Sequence, residues 1–177
     1  IRNAVRLLGA TIKQATERFH LELAPALPPV LGSSRRLEQV LVNLISNACQ
    51  ALTSRTQGIS IGSAYEPAEG WVRVTVQDEG VGIAPQDLAR IKDPFFTTRH
   101  DTGGTGLGLS VSDKIVTLHG GTLSFASEPG RGTTASLRLP AHPADHAAGG
   151  PAAQAGRPPR RQPAGSPPAT TSGTPPP

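Results

Sequence analysis

Three short stretches carry residue types that can do chemistry. Asp78 closes an apolar-alternating run and leads straight into Glu79-Gly80-Val81-Gly82-Ile83. A carboxylate held at a strand end accepts a hydrogen bond from an exocyclic amine such as a purine carries, and glycine beside it lets the backbone pass close to a ring. On its own, an ordinary strand-end turn reads the same way. The second stretch is Gly104-Thr105-Gly106-Leu107-Gly108-Leu109, which opens a helix-like pattern. Glycines ahead of a helix expose backbone N–H groups, and the helix N-terminus carries partial positive charge, so anions such as phosphates bind there. The third is Asn43 with Asn47, four positions apart and hence on one helix face, next to an apolar stripe. Buried amides need partners, which a neighbouring loop or a ligand can supply. An amide oxygen is a hard, neutral ligand suited to Mg²⁺, which takes few protein ligands and fills its shell with water and phosphate oxygens.

Neither glycine cluster is the dinucleotide-binding fingerprint. That pattern needs glycine where Pro85 stands in the first cluster and where Leu109 stands in the second. No Gly-Lys-Ser/Thr occurs, so the Walker A loop is absent as well.

Periodicity supplies the elements that must position these residues. Val5, Leu8, Ile12, Ala15 and Phe19 step by three and four, which predicts one amphipathic helix over Arg2–Phe19, followed by a short strand over His20–Leu23. Ser33 or Ser34 caps a second helix from Arg35 to about Thr53, whose broad apolar stripe runs from Leu37 to Leu52. Ile59–Tyr65 and Trp71–Gln77 alternate and flank a Pro-Gly turn, which makes an antiparallel hairpin. Pro85–Ile91 reads as a short helix, and Leu107–Leu118 as a third long one with Leu107, Val111, Ile115 and Leu118 on one face. His119-Gly120-Gly121 stops it. Thr122–Ser127 and Thr133–Leu139 form a second hairpin, and Pro140 ends the fold. Hairpins exclude a wholly parallel sheet. The expected fold is α+β, a two-layer α/β sandwich with a mixed sheet packed on three helices.

Composition divides the 177 residues at Pro140. Residues 1–140 form one domain; residues 141–177 hold 10 Pro, 9 Ala and 5 Gly and are expected to be a disordered tail, which has no apolar residue able to build a core. The net charge of +4 comes from scattered basic residues with few aromatics, so nothing reads as a nucleic-acid surface. The single cysteine, Cys49, excludes an intramolecular disulfide, fits a reducing compartment and is expected to be a packed core thiol. No apolar run is long enough to span a bilayer. With no Met anywhere, the chain is expected to be a piece of a longer protein.

Taken together, the motifs resemble those of a known family. Arg36–Ala48 resembles the N box of the GHKL ATP-binding domain, and Asp78–Ile83 its G1 box. Pro94-Phe95-Phe96-Thr97-Thr98 resembles the F box, and Gly104–Leu109 the G2 box. The four motifs occur in the family's order over residues 36–109, and Gly132-Thr133 extends the match to the last strand. Within the superfamily the chain is most similar to the catalytic domain of bacterial sensor histidine kinases. The resemblance implies the Bergerat fold, with ATP between helices and sheet under a mobile lid spanning about Phe95–Thr105. It implies Asn47 as the Mg²⁺ ligand, Asn43 as its polar neighbour, and Asp78 as partner of the adenine amine. Gly80, Gly82 and Ile83 line the base. Gly104, Thr105, Gly106, Leu107, Gly108 and Leu109 belong to the phosphate cradle, and Thr133 supports a water network beside Asp78. Arg99, in the lid, either contacts the γ-phosphate or is a solvated lid charge.

The same resemblance implies a function. Hydrolytic members of the superfamily place a Glu where Asn43 stands, and that Glu activates water. Asn takes no proton at neutral pH, so hydrolysis is expected to be poor and the γ-phosphoryl group to be kept for another acceptor. The implied activity is that of a protein-histidine kinase in a two-component system. The phosphoacceptor histidine would lie on a dimerisation domain outside this chain, a homodimer would form through that domain, and a response regulator would act downstream. None of the five histidines here fits the phosphoacceptor pattern. The implied location is cytoplasmic, on a soluble protein or on the inner part of a membrane-bound sensor. Two alternatives share the fold: an anti-sigma-type serine kinase and a nucleotide-sensing module without transfer. Two positions depart from the family pattern. Gln50 stands where a charge is often found, and Ala135 stands where an aromatic is usual, which is expected to loosen local packing.

Overall fold

The computed structural model of the chain describes residues 1–98 and 105–142. Arg99, the lid residues 100–104 and the tail from residue 143 lie outside the described residues. In chain order the elements are α1 (Arg2–Leu7), α2 (Gly9–Ala15), β1 (Arg18–Leu23), α3 (Ser34–Ala51), β2 (Gly58–Glu66), β3 (Trp71–Asp78), α4 (Pro85–Leu88), α5 (Gly108–Leu118), β4 (Thr122–Glu128) and β5 (Gly132–Pro140). The strands form one mixed sheet in the order β1-β2-β3-β5-β4, with β1 parallel to β2 and the other pairs antiparallel. The α+β sandwich expected from the sequence is the fold observed.

One face of the sheet is apolar and packs on the helices. Ile59 and Ile61 of β2, Val74 and Val76 of β3, Leu123 of β4, and Ala135, Leu137 and Leu139 of β5 meet Val40, Leu41, Leu44, Ile45 and Ala48 of α3. Each fully buried Ile or Leu contributes about 2 kcal/mol. No helix among the described residues is long and apolar enough to cross a membrane.

The first helix differs from expectation. It breaks at Leu8 (φ −94°, ψ 10°), ahead of Gly9, and α2 ends at Ala15. Thr16 is extended and buried; its hydroxyl donates to the Gln57 carbonyl and accepts from the Arg18 amide. Glycine is a weak helix former, and Thr16 turns the chain into β1 early. Phe19 therefore obeys the strand period with Leu21 rather than the helical period with Ala15.

The α5 face is also not the expected one. Ser112, Ile115 and Val116 are buried, whereas Leu107, Val111 and Leu118 are exposed. Ser112 is small and polar, and Asn43 Nδ2 on α3 donates to its hydroxyl at 3.0 Å. The rotation buries Ile115 and Val116 in the core, and the Asn43 bond satisfies the Ser112 hydroxyl that it turns inward. The helix ends as expected: Gly120 has φ 68°, its amide donates to the Thr117 carbonyl, and the Gly121 amide donates to that of Val116. His119 then joins the two helices. Its Nε2 accepts from the Ser33 amide at 3.0 Å, so its proton sits on Nδ1, which donates to the Ile115 carbonyl at 2.7 Å.

On β3 and β5, Arg73 and Arg138 stand directly opposite each other. Like charges so placed repel. Glu66 lies between them, with Oε1 2.7 Å from Arg73 Nε, close but not aligned as a hydrogen bond, and Oε2 2.9 Å from Arg138 Nε. Arg138 also pairs with Glu69 and stacks on Trp71, 5.4 Å from the ring centroid. Desolvation alone would raise the Glu66 pKa, but the Arg138 hydrogen bond and the charges of Arg138 and Arg73 hold it below the ordinary carboxylate value. Glu69 and Glu66 in turn hold the Arg138 pKa above its ordinary value, chiefly through the hydrogen bond to Glu69.

Two predictions follow from this packing. Pairing continues past Pro140: the Ala141 amide donates to the Gly70 carbonyl and the His142 amide to that of Pro29. Truncation after His142 is expected to leave the Tm unchanged, whereas truncation after Pro140 lowers it by about 3 °C, read by calorimetry. Glu66 has a depressed folded pKa, so its stabilisation is present above the ordinary carboxylate pKa and is lost as pH falls through the folded one. Glu66→Gln is expected to lower the unfolding midpoint at neutral pH and to flatten the acid-side fall, so the two proteins converge in stability at low pH.

Candidate functional site

The helix-facing stripe of three adjacent strands ends in a polar residue. On β3 the stripe Val72, Val74, Val76 is continued by Asp78; on β5 Leu139, Leu137, Ala135 by Thr133; on β4 Leu123, Phe125 by Ser127. The register pairs Asp78 with Thr133 and Thr133 with Ser127, so the three side chains form one row. Asp78 is 6% exposed, and its Oδ1 accepts from the Gly80 amide at 2.9 Å.

This row borders a cavity of about 350 Å³ between the sheet and α3. The size is within the range of small-molecule sites. Asp78, Gly82, Ile83 and Thr133 line one part of it; Asn43, Asn47, Thr105, Gly106, Gly108 and Leu109 line it as well. The structure thus brings together ten of the residues singled out in the sequence. Gly80 and Leu107 do not line the cavity. Arg99 and Gly104 lie outside the described residues.

The glycines turn out to serve chain packing. A Cβ on Gly80 would collide with the Ala51 carbonyl at the end of α3, and the next amide, that of Val81, donates to that same oxygen at 3.0 Å. Gly82 has φ 68°, and a Cβ there would meet the Glu128 carbonyl. The Gly130 amide donates to the Val81 carbonyl at 2.8 Å, and the Ile83 amide to Ser127 Oγ at 2.8 Å. The Asp78 loop is therefore clasped between α3 and the β4–β5 turn.

At the other end, a Cβ on Gly108 would meet the end of the Asn43 side chain, so the glycine gives that amide room where the start of α5 sits against α3. The Asn47 amide is half-buried in the cavity and has no hydrogen-bond partner among the described residues. No cluster of His, Cys, Asp or Glu able to hold a metal occurs among the described residues. A free amide oxygen facing a phosphate-sized space fits Mg²⁺, whose remaining ligands are water and phosphate oxygens. The approach to the segment beyond residue 98 is fixed where it starts and ends: the Phe95 amide donates to the Gly106 carbonyl at 3.0 Å, and both residues have positive φ (66° and 65°). Lys92 and Asp113 pair at 2.8 Å close by, tying the α4 side to α5.

The family model for histidine kinase-, DNA gyrase B- and HSP90-like ATPases matches residues 32–143. The chain belongs to this family. Among curated relatives it is 38% identical to the sensor histidine kinase ZraS of Escherichia coli over 79% of this chain and 29% of that protein. It is 36% identical to the non-motile and phage-resistance protein of Caulobacter vibrioides over 81% of this chain and 18% of that one. The chain therefore spans less than a third of the length of these relatives. Among solved structures, the catalytic domain of histidine kinase ThkA superposes with a TM-score of 0.66 at 31% identity, covering 79% of this chain and 89% of that one. Full-length ShkA, solved in complex with AMPPNP, gives a TM-score of 0.68 at 27% identity, over 79% of this chain and 29% of that one. As a histidine-kinase-type member of the family, the chain carries the catalytic, ATP-binding domain.

Sequence reasoning missed several lining residues of this ATPase-family cavity, among them Val76, Ile91 and Phe125, whereas Phe96 of the F box does line it. Ile91 lacks a periodic signal. Phe125 could have been found from its alternation with Leu123. It pairs with Ala135 across β4–β5, and Ala135 is only 6% exposed. Both residues line the cavity, so Phe125 places an aromatic beside Ala135 on the neighbouring strand.

Substitutions at the clasped loop should separate backbone strain from collision. Gly130→Ala meets a positive φ (76°) with nothing within 4 Å and is expected to cost about 1 kcal/mol. Gly82→Ala adds a backbone collision at a similar φ and is expected to cost about 3 kcal/mol. Urea unfolding of the two variants measures the difference.

Proposed function

We propose that the cavity binds MgATP and donates its γ-phosphoryl group to a histidine on a dimerisation domain outside this chain, which in turn serves a response regulator. One observation supports transfer over hydrolysis. Asp78 is the one carboxylate, and there is no histidine, among the described residues that line the cavity. Asp78 belongs to the row at the sheet, where its oxygen is engaged by the Gly80 amide, away from Asn43 and the start of α5. Under this reading no described residue at the phosphate end is able to deprotonate water. Asn43 cannot act as a base, and its Nδ2 is committed to Ser112.

The chain's own residues then bind and orient. Asp78 accepts from the adenine amine, with Gly82 and Ile83 along the ring and Thr133 beside it. The backbone from Thr105 to Leu109 and the N-terminus of α5 hold the phosphates. Asn47 holds Mg²⁺, which would neutralise charge on the phosphate oxygens. Arg99, outside the described residues, would be the lid cation for the γ-phosphate or a solvated lid charge. The nucleophile arrives from the partner domain with its own base. Fold alone is shared with serine kinases and with nucleotide sensors; a phosphoacceptor histidine in the longer protein selects the kinase reading.

MgATP is expected to bind at micromolar to millimolar levels, and Asp78→Asn or Asn47→Asp to weaken it by more than tenfold in calorimetry. Unchanged affinity in both variants would remove the assignment of the site. With γ-labelled ATP, this chain alone is expected to take negligible label and to release phosphate slowly, while an added dimerisation domain from the same protein becomes labelled. Strong label on this chain alone would overturn transfer to an external acceptor.

A further inference from the structure

His119 caps the end of α5 and does not line the cavity. Its ring nevertheless spans two helices. Nδ1 lies 2.7 Å from the Ile115 carbonyl oxygen of α5, and Nε2 lies 3.0 Å from the amide nitrogen of Ser33, the cap of α3. A carbonyl can only accept and an amide N–H can only donate. Both contacts therefore hold together in one state alone, the neutral ring with its proton on Nδ1. Gly32, just ahead of the cap, has φ 144°, and a Cβ there would collide with the ring. The loop that leads into α3 is shaped around the imidazole.

A second directional bond joins the same two helices. Seven residues before His119, the Ser112 hydroxyl accepts from Asn43 Nδ2 at 3.0 Å. That spacing is close to two helical turns, so the two contacts lie on the α3-facing side of α5, roughly 10 Å apart. Ile115 and Val116 between them are buried. Apolar contact is non-directional, so it selects the buried face without fixing where along α3 the helix sits. The two hydrogen bonds fix that position. With the Ser112 bond alone, α5 can pivot about it. Gly108 lies four residues to one side of Ser112 and His119 seven to the other. A shift of about 1 Å at His119 then moves the first turn of α5 by roughly half as much.

We infer that His119 is a positioning residue for the phosphate end of the site, which holds the first turn of α5 in place against the asparagines of α3 through its bond to the Ser33 amide. The inference rests on the reading of the cavity as a MgATP site. In that reading the start of α5 holds the phosphates and Asn47 of α3 holds the metal. The placement of one helix on the other then sets whether phosphate and metal are gripped together, and small misplacements are costly. The base end is built on β3 and β5, whose pairing does not involve this link.

The test uses the full chain with MgATP and with adenosine, which carries the base and no phosphate. Calorimetry gives the affinity for MgATP, and NMR titration that for adenosine, in wild type, His119→Asn and His119→Gln. An asparagine amide reaches the place of Nδ1 and still donates to Ile115, but it falls short of Ser33. A glutamine amide reaches the place of Nε2 and accepts from Ser33. His119→Asn is expected to weaken MgATP about fivefold and to leave adenosine unchanged. His119→Gln is expected to keep both affinities near wild type. Should the asparagine variant not fold, Gly32→Ala displaces the ring from the other side and is expected to weaken MgATP selectively in the same way. Unchanged MgATP affinity or an equal loss of both ligands in the variant that folds, or a loss with glutamine as large as with asparagine, overturns the inference. A wild-type chain that binds no MgATP would instead overturn the nucleotide reading of the cavity, and this inference with it.

Discussion

The cross-strand register of β3, β5 and β4 is the constraint on which the site depends. It sets Asp78, Thr133 and Ser127 side by side where the apolar face of the sheet ends. Polar groups at the edge of a core are costly unless bonded. Here they bond to each other and to the loop that follows: Gly80 N–H to Asp78, Ile83 N–H to Ser127, Ser127 to the Gly132 carbonyl. A slip of one residue on any strand would move its member of the row to the opposite face. The buried stripes Val72–Val76 and Ala135–Leu139 oppose that slip, because it would expose every one of their side chains. The hydrophobic core thus specifies where the polar row sits.

The second wall follows from α3. Its apolar stripe packs on the sheet, which leaves Asn43 and Asn47 at the border between core and cavity. Asn43 is bonded to Ser112, and Gly108 permits the close approach. The start of α5 is therefore held against α3 rather than against the sheet. Between these walls lies a space with a carboxylate at one end and backbone amides at the other. That division suits a ligand with a donor-bearing ring and an anionic tail.

Glycine in this chain illustrates how a motif can be recognised correctly for an incomplete reason. Gly80 and Gly82 mark the loop after Asp78, and a close ligand is the obvious use for them. The structure shows that Gly80 faces the backbone at the end of α3, and Gly82 the backbone of Glu128. These contacts shape the loop whatever it binds. Gly82 lines the cavity as well, so at that position both demands coincide.

Much of this was readable in the order of residues. Alternation in β2 to β5 located both hairpins to within a residue or two, and the stripe on α3 located the helix that carries the asparagines. Asp78 and Thr133 could be named because each sits next to a glycine signal. Ser127 has no such neighbour, although the alternation of Leu123 and Phe125 leads to it. The end of the helix at Ala15 was hidden because Phe19 satisfies the helical and the strand period equally. The buried face of α5 was misjudged because apolar content favoured Leu107, Val111 and Leu118, while the observed face buries Ile115 and Val116 together with a Ser112 hydroxyl that only a distant partner, Asn43, satisfies. Local period and composition depend on neighbours along the chain, so the sequence by itself determined the elements, the core stripes and the chemistry available at each motif. Strand order, register and helix rotation depend on which distant surfaces meet, so only the tertiary structure decided which polar groups share a row, which protons they exchange and what faces the cavity.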